Sequence, residues 1–367
     1  MKKIIVFNAL QTSLSGGIGR YSYELAKELY KAHSNTVKIV IRDQDRELFD
    51  FVEEKNLLIA KDIKNSKDRN LYEQFKLPNL VSKLYPDAIL HYPDTMAPIL
   101  AKNKVIITIH DLAFKSSRNI FTWNTVLWKN IITNLSIKKA NKIISITEFT
   151  KSEIIKFYPK YEKSNISVIY NGFNNFSQET IDQKKISDKI KEINYEYVLT
   201  VSTISPRKNI DGLIKAFNLV KDSVTFNLII AGANGWLYED VHQLVKDLNL
   251  ESRILFTGKI NDEELKYLYK NALKFTYLSF YEGFGLPPLE AMSFNIPCIV
   301  ANTSCLPEVV GNAAIKVDPY NIEEIADSLL NTDEIKKNEM LLEAKSQIEK
   351  YSWVKCAKEV YEVYKNV

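Results

Sequence analysis

No apolar run of about 18 or more residues occurs in this chain of 367 residues, so no membrane-spanning helix is expected. The opening Met1-Lys2-Lys3-Ile4-Ile5-Val6-Phe7-Asn8 has the basic start and apolar stretch of an export signal. The stretch is too short, and Asn8 and Gln11 break it. It is expected to be a first buried strand, in a cytoplasmic protein. Cysteine is scarce: Cys298, Cys305 and Cys356 are odd in number and lack paired-ligand spacing. Reduced thiols are expected, with Cys298 in the core of the apolar stretch 296–300. No low-complexity stretch and no repeat of solenoid period is present. No His-rich ligand set appears.

A chain this long suits two domains better than one, and 46% hydrophobic residues are ample for two cores. The net charge of +4 hides an asymmetry. Residues 1–175 carry 27 Lys and Arg against 17 Asp and Glu, while the remainder carries 22 against 28. A basic half next to an acidic half points to an anionic partner for the first. An anionic membrane surface is the expected partner, not a nucleic acid.

Short apolar β-rich runs alternate with helical patterns along the chain, as parallel α/β sheets require. Stretches 4–8, 37–41, 88–91, 105–110, 142–147 and 166–170 read as strands of a first domain. Stretches 198–202, 226–231, 254–257, 275–280, 297–301 and 314–317 read as strands of a second. Two doubly wound, Rossmann-like domains are expected, each binding ligand at the carboxyl edge of its sheet. The boundary falls in the polar stretch 171–187, giving domains 1–172 and 173–351 with a last amphipathic helix at 352–367.

The richest string is Tyr281-Glu282-Gly283-Phe284-Gly285-Leu286-Pro287-Pro288-Leu289-Glu290. It leaves an apolar run and enters a helical pattern. Two glycines let a ligand approach the main chain, and two prolines suit a first helical turn. A helix N-terminus attracts phosphate, and a carboxylate accepts from sugar hydroxyls. Phosphate and polyol together suggest a nucleotide sugar. Glu290 alone reads more readily as a structural first-turn acid favoured by the helix dipole. Ser202-Thr203-Ile204-Ser205-Pro206-Arg207-Lys208-Asn209 offers a point cation and a guanidinium fork suited to a pyrophosphate, or else a solvated basic turn. Ser15-Gly16-Gly17-Ile18-Gly19 precedes a helix, but lacks the Gly-x-Gly-x-x-Gly spacing of a dinucleotide fingerprint. His110-Asp111 ends a strand at the ligand edge, where a lone His is often structural.

No acid lies between Leu112 and Thr147, but Lys115, Arg118, Lys129, Lys138, Lys139 and Lys142 do. Trp123, Leu127, Ile131 and Leu135 recur every four residues there, with Phe121 and Trp128 alongside. Burial of this stripe against the first sheet is the expected use; contact of its lysines and aromatics with an anionic membrane is the second.

The Glu-x7-Glu string, with Cys298 and Pro307-Glu308-Val309-Val310 beyond it, resembles the retaining glycosyltransferases of family four, which have the GT-B fold. Among them it is similar to bacterial O-antigen and capsule mannosyltransferases. The resemblance is strong over 198–317 and weaker before. It implies two Rossmann-like domains facing a cleft, the acceptor on the first, the donor on the second, and the last helix crossing back to the first. Glu290 would hold ribose, Glu282 the donor sugar, and Gly283-Phe284-Gly285-Leu286 sugar and phosphate. Lys208 and Arg207 would meet the diphosphate, although the commoner family pattern has Arg where Thr203 stands. His110 would lie by the reaction centre, orienting the sugar and stabilising charge. Gly16 and Gly17 would face the diphosphate, and Gly258-Lys259 the nucleobase. The implied activity is metal-independent hexose transfer with retention, best assigned as mannose from GDP-mannose. The acceptor would be a surface glycan carried on polyprenyl pyrophosphate, at the inner face of the plasma membrane. A nucleotide-sugar epimerase or a non-catalytic carbohydrate binder on the same fold are the alternatives.

Overall fold

The computed structural model describes residues 3–13, 17–116, 122–236, 238–330 and 334–367. They form two units, Met1–Gly172 with Tyr351–Val367, and Phe173–Lys350.

The first unit is built on a parallel sheet of β1 (Ile5–Asn8), β2 (Val37–Arg42), β3 (Leu57–Ala60), β4 (Ile89–Tyr92), β5 (Lys104–Ile109), β6 (Lys142–Ser145) and β7 (Ile166–Val168). Their order is β3-β2-β1-β4-β5-β6-β7. The sequence suggested six strands here, and the seventh is β3. It is a half-exposed edge strand of four residues following the polar Glu53-Glu54-Lys55-Asn56, and it lacks the continuous burial that marks the inner strands. Strand order reverses between β1 and β4, so the carboxyl ends of these two strands diverge and leave a crevice.

The second sheet repeats the arrangement as β10-β9-β8-β11-β12-β13. Its strands are β8 (Tyr197–Val201), β9 (Asn227–Ala231), β10 (Ile254–Gly258), β11 (Lys274–Tyr277), β12 (Cys298–Ala301) and β13 (Ile315–Val317). The reversal here lies between β8 and β11. The loop after β8 carries Arg207 and Lys208, and the loop after β11 carries Glu282, so topology alone brings two distant segments to one crevice. All three cysteines are buried and free.

Tyr351–Val367 belongs to the first unit. Ser352 caps helix Trp353–Lys365 by accepting from the Lys355 N–H at 3.0 Å. The helix is locked inward by Tyr364, whose hydroxyl meets His91 Nδ1 at 2.5 Å. Gly172 serves this docking. A Cβ there would stand 2.3 Å from the Trp353 nitrogen, so only glycine admits the close approach.

Helix Trp123–Lys139 departs from expectation. Its inward residues are Ile132, Thr133, Ser136 and Ile137. The stripe of Trp123, Leu127, Ile131 and Leu135, with Trp128, lies on the exposed side. The four-residue period identified a face correctly, but not which way it points. The small Ser136 lets the helix sit close, and its Oγ accepts from the Ala97 N–H at 2.9 Å. Phe121 and Arg118 lie outside the described residues.

Candidate active site

At the switch point of the second sheet, Glu282 is buried and holds a compact charge cluster. Its Oε1 accepts from Lys208 Nζ at 2.5 Å and pairs with Arg207 Nη1 at 2.8 Å. Tyr277 lies at the end of β11, and its hydroxyl accepts from Lys208 Nζ at 2.7 Å and donates to Glu282 Oε1 at 3.2 Å. The loops are fastened through the main chain as well. The Phe280 N–H donates to the Arg207 carbonyl at 2.9 Å, Arg207 Nη1 to the Tyr281 carbonyl at 2.6 Å, and the Glu282 N–H to Ser304 Oγ at 3.0 Å.

The electrostatics follow from this packing. Burial would raise the Glu282 carboxyl, but the Lys208 and Arg207 charges outweigh it and hold the group at about 2. Burial acts on Lys208 in the same sense against charge and lowers it, opposed by Glu282 and assisted by Arg207. Two cations thus meet on one buried carboxylate oxygen. The Lys208 ammonium has three donors, two of which go to Glu282 and Tyr277.

Beyond Glu282 the chain turns through Gly283, Phe284 and Gly285, all buried. Gly285 adopts φ +90°, in the left-handed region, and a Cβ there would meet Leu306 Cδ2 at 2.7 Å. The turn therefore requires glycine. Helix Leu286–Ser293 starts at once, with prolines in its first turn. Glu290 sits one turn in, 5% exposed, and its Oε2 accepts from the Tyr269 hydroxyl at 3.0 Å. Tyr269 is fixed in turn. Helix Asp262–Asn271 begins with a capping box of Asn261 and Glu264, and its Tyr269 ring packs on Phe275 of β11 with centroids 5.7 Å apart.

Gly258 ends β10 with φ +74°, and open space lies where a side chain would be; Lys259 is exposed beyond it. Both lie on the same carboxyl edge as Glu282 but three strands away, about 14 Å at the usual strand spacing. That separation suits the two ends of a nucleotide sugar. Between them, the Ile204 N–H donates to the Ala233 carbonyl and the Gly235 N–H to the Ile204 carbonyl, tying the loops after β8 and β9 together.

The other candidates belong to the first unit. His110 follows β5, and its Nε2 lies 2.9 Å from the Pro93 carbonyl. A carbonyl only accepts, so Nε2 carries the proton. Burial lowers the ring's affinity for a second one. A neutral ring with its Nδ1 lone pair available can orient a hydroxyl by accepting from it; it supplies no positive charge. Asp111 Oδ1 accepts from the Ala113 N–H at 3.0 Å and so caps the next turn. Gly17 opens helix Gly17–His33 and is exposed, whereas Gly16 lies outside the described residues.

The sequence reading missed Tyr277, Tyr269 and Ser304, whose partners are remote in the chain. It also missed a buried polar group beside the first switch point. There Glu73 accepts from Asn8 Nδ2 at 2.7 Å, and Gln11 Nε2 donates to Asp94 at 2.5 Å. Burial raises Glu73 to about 7, against the Asn8 hydrogen bond and the Arg69 charge.

Among the described residues, no group of three or more His, Cys, Asp or Glu is placed to hold a metal ion. The pair Asp43 and Asp45, which has paired-carboxylate spacing, is instead bound to arginines. Asp43 meets Arg46 at 2.8 Å, and Asp45 meets Arg42 at 2.6 Å.

Residues 182–351 match the family described as "Glycosyl transferases group 1", and residues 15–175 match "Glycosyltransferase Family 4". The chain is 30% identical over 287 residues to O-antigen chain mannosyltransferase B of Escherichia coli, covering 77% of this chain and 75% of that protein. It is 31% identical over 243 residues to the O-antigen chain mannosyltransferase RfbU of Salmonella typhimurium, covering 63% of this chain and 64% of the other. In fold it superposes on HepE of Anabaena, solved in complex with UDP-glucose, with a TM-score of 0.75 over 100% of both chains at 18% identity.

Proposed function

The chain belongs to the group 1, family 4 glycosyltransferases of GT-B fold, and we propose that it transfers mannose from GDP-mannose, with retention and without a metal, to a growing glycan. The observation that carries this reading is the Lys208–Glu282–Arg207 cluster, two cations gathered on one buried carboxylate, at the switch point of the second sheet. The choice of mannose rests on the names of the two bacterial relatives.

The donor diphosphate contacts Lys208 and Arg207 and the N-terminus of helix Leu286–Ser293. Glu290, held by Tyr269, accepts from the ribose hydroxyls. Glu282 and the backbone of Gly283-Phe284-Gly285-Leu286 face the hexose, and the end of β10 at Gly258-Lys259 faces the base. A bond forms between the acceptor oxygen and the sugar's anomeric carbon as the bond from that carbon to the diphosphate oxygen breaks. The electron pair leaves on the diphosphate, where charge grows and the Lys208 and Arg207 cations stabilise it more than in the ground state. The departing phosphate takes the acceptor proton, so no separate base is needed. His110, neutral, orients a hydroxyl through Nδ1. The acceptor is carried on a polyprenyl pyrophosphate at the inner face of an anionic membrane.

Thermal shift with GDP, UDP, dTDP and ADP tests the donor site, because a ligand at 100 times its Kd adds about 2.7 kcal/mol of stability. GDP is expected to stabilise selectively. GDP-mannose should then be consumed with a lipid-linked acceptor, and equally in excess EDTA. Stabilisation by UDP alone would replace the donor. Turnover without any acceptor would replace transfer by epimerisation, and a requirement for added divalent metal would end the metal-free reading.

A further inference from the structure

We infer that the outward face of helix Trp123–Lys139 is the surface by which this enzyme sits on an anionic bilayer. Trp123 is 73% exposed, Trp128 54%, Leu127 51%, Ile131 50% and Leu135 38%. At 100° per residue these five side chains share one arc of about 140°. The opposite arc holds Ile132, Thr133, Ser136 and Ile137, which are buried, so the helix is anchored to its own unit without the outward face. A helix apolar on both sides is covered on both sides in its working state, and a run of large exposed apolar residues marks an interaction surface.

The charge around the face selects the occupant. No Asp or Glu occurs from Leu112 to Thr147. Lys138 is exposed within the apolar arc, and Lys139 flanks it. Apolar residues with two tryptophans and a lysine border fit the headgroup region of anionic lipid, where indole rings settle and lysines meet phosphate. A second copy of this chain would bring two acid-free basic faces together and be repelled. No helix among the described residues is long and apolar enough to cross a membrane, so the contact is interfacial and reversible. The inference deepens the reading of a lipid-carried acceptor by naming the surface that approaches it. Vesicle binding needs no donor and no turnover, so the two can fail separately.

The test is co-sedimentation of the full chain with vesicles of phosphatidylglycerol and phosphatidylethanolamine, and with phosphatidylcholine alone, at low and high salt. Binding is expected to anionic vesicles and to weaken with salt. The variant Trp123→Ser/Leu127→Ser/Trp128→Ser changes exposed side chains only and should lose tenfold or more in partitioning, with its melting temperature and nucleotide-induced shift intact. Lys138→Glu/Lys139→Glu should lose affinity and salt dependence together. Brominated lipid should quench the wild-type tryptophans, but not those of Trp123→Phe/Trp128→Phe. Unchanged binding by the triple variant would overturn the inference. So would sedimentation velocity showing a dimer that the triple variant converts to monomer, which would assign the face to a second copy.

Discussion

Replacing Lys208 by Ala separates its observed role as counter-ion of Glu282 from its proposed role at the diphosphate. The ammonium is 2.5 Å from Glu282, and both side chains are 10% exposed. Removing one partner of such a buried pair costs about 3–5 kcal/mol. Arg207 at 2.8 Å and the Tyr277 hydroxyl at 3.2 Å still hold the carboxylate, so the loss should fall at about 3 kcal/mol, the lower end of that range. The variant would therefore be destabilised but foldable. Transfer should fall by about 100- to 1000-fold, the usual effect of deleting one group that stabilises developing charge. The control is Lys208→Met/Glu282→Gln. Both versions of the cluster, native and doubly changed, carry a net charge of +1, and the double variant leaves no buried carboxylate short of a cation. Its stability should return to near the wild type while its activity stays low. Urea unfolding gives the stabilities, and initial rates at saturating donor, corrected for folded fraction, give the activities. A folded Lys208→Ala protein turning over within tenfold of wild type would refute the diphosphate assignment and leave Lys208 as the counter-ion of Glu282.

Three further substitutions probe the two units separately. Glu290→Gln should weaken binding of the donor's nucleoside diphosphate by about 10- to 150-fold, the value of roughly 1.5–3 kcal/mol for hydrogen bonds to a charged group. Tyr269→Phe, which frees Glu290 from its 3.0 Å bond, should weaken it by about tenfold, with the double change costing less than the sum because the residues act as a unit. Calorimetric titration measures both, and wild-type affinity in Glu290→Gln would remove it from the ribose site. In the first unit, Glu73 has its folded value raised to about 7 from an ordinary 4.5. The native state therefore binds more protons than the unfolded chain between these values. The contribution to stability is complete below about 4.5 and is lost as pH rises through 7, to a limit of about 3 kcal/mol. Glu73→Gln should flatten that dependence in urea titrations at pH 5.5 and 8, and identical pH dependence in both proteins would contradict it.

The two parallel sheets were legible because buried parallel strands are short, apolar and regularly spaced. Leu57–Ala60 has the same short apolar run, Leu-Leu-Ile-Ala, and was passed over although it completes the first sheet. The Glu282–Glu290 string was legible for another reason. Its two glycines, two prolines and two acids serve a turn and a helix start made within a dozen residues, and Gly285 does take the backbone conformation that only glycine adopts readily. Tyr277 and Tyr269 carry no comparable local mark. Each would pass for a core aromatic. Tyr277 meets Lys208 across 69 residues, and Tyr269 meets Glu290 across 21. Their hydroxyls acquire roles only when strand order brings β8 beside β11 and helix packing brings Asp262–Asn271 over the same strand.

Helix Trp123–Lys139 exposes the limit of periodicity from the other side. A four-residue repeat reports that large apolar side chains share a face. The direction of that face is decided by which alternative packs closest to the sheet. Here the competing face has a serine and a threonine among its four buried residues and looks weaker by hydrophobicity, yet Ser136 brings the helix near enough to bond the main chain at Ala97. Close packing rewards small residues as well as apolar ones, because dispersion and hydrogen bonding fall steeply with distance. A stripe of large residues that loses this competition is left in water at a standing cost of roughly 1.5–3 kcal/mol for each large side chain that could be fully buried. Selection for folding alone gives no reason to keep two tryptophans, two leucines and an isoleucine there. Burial against something outside the chain does, and the absence of acid from the same stretch restricts what that can be.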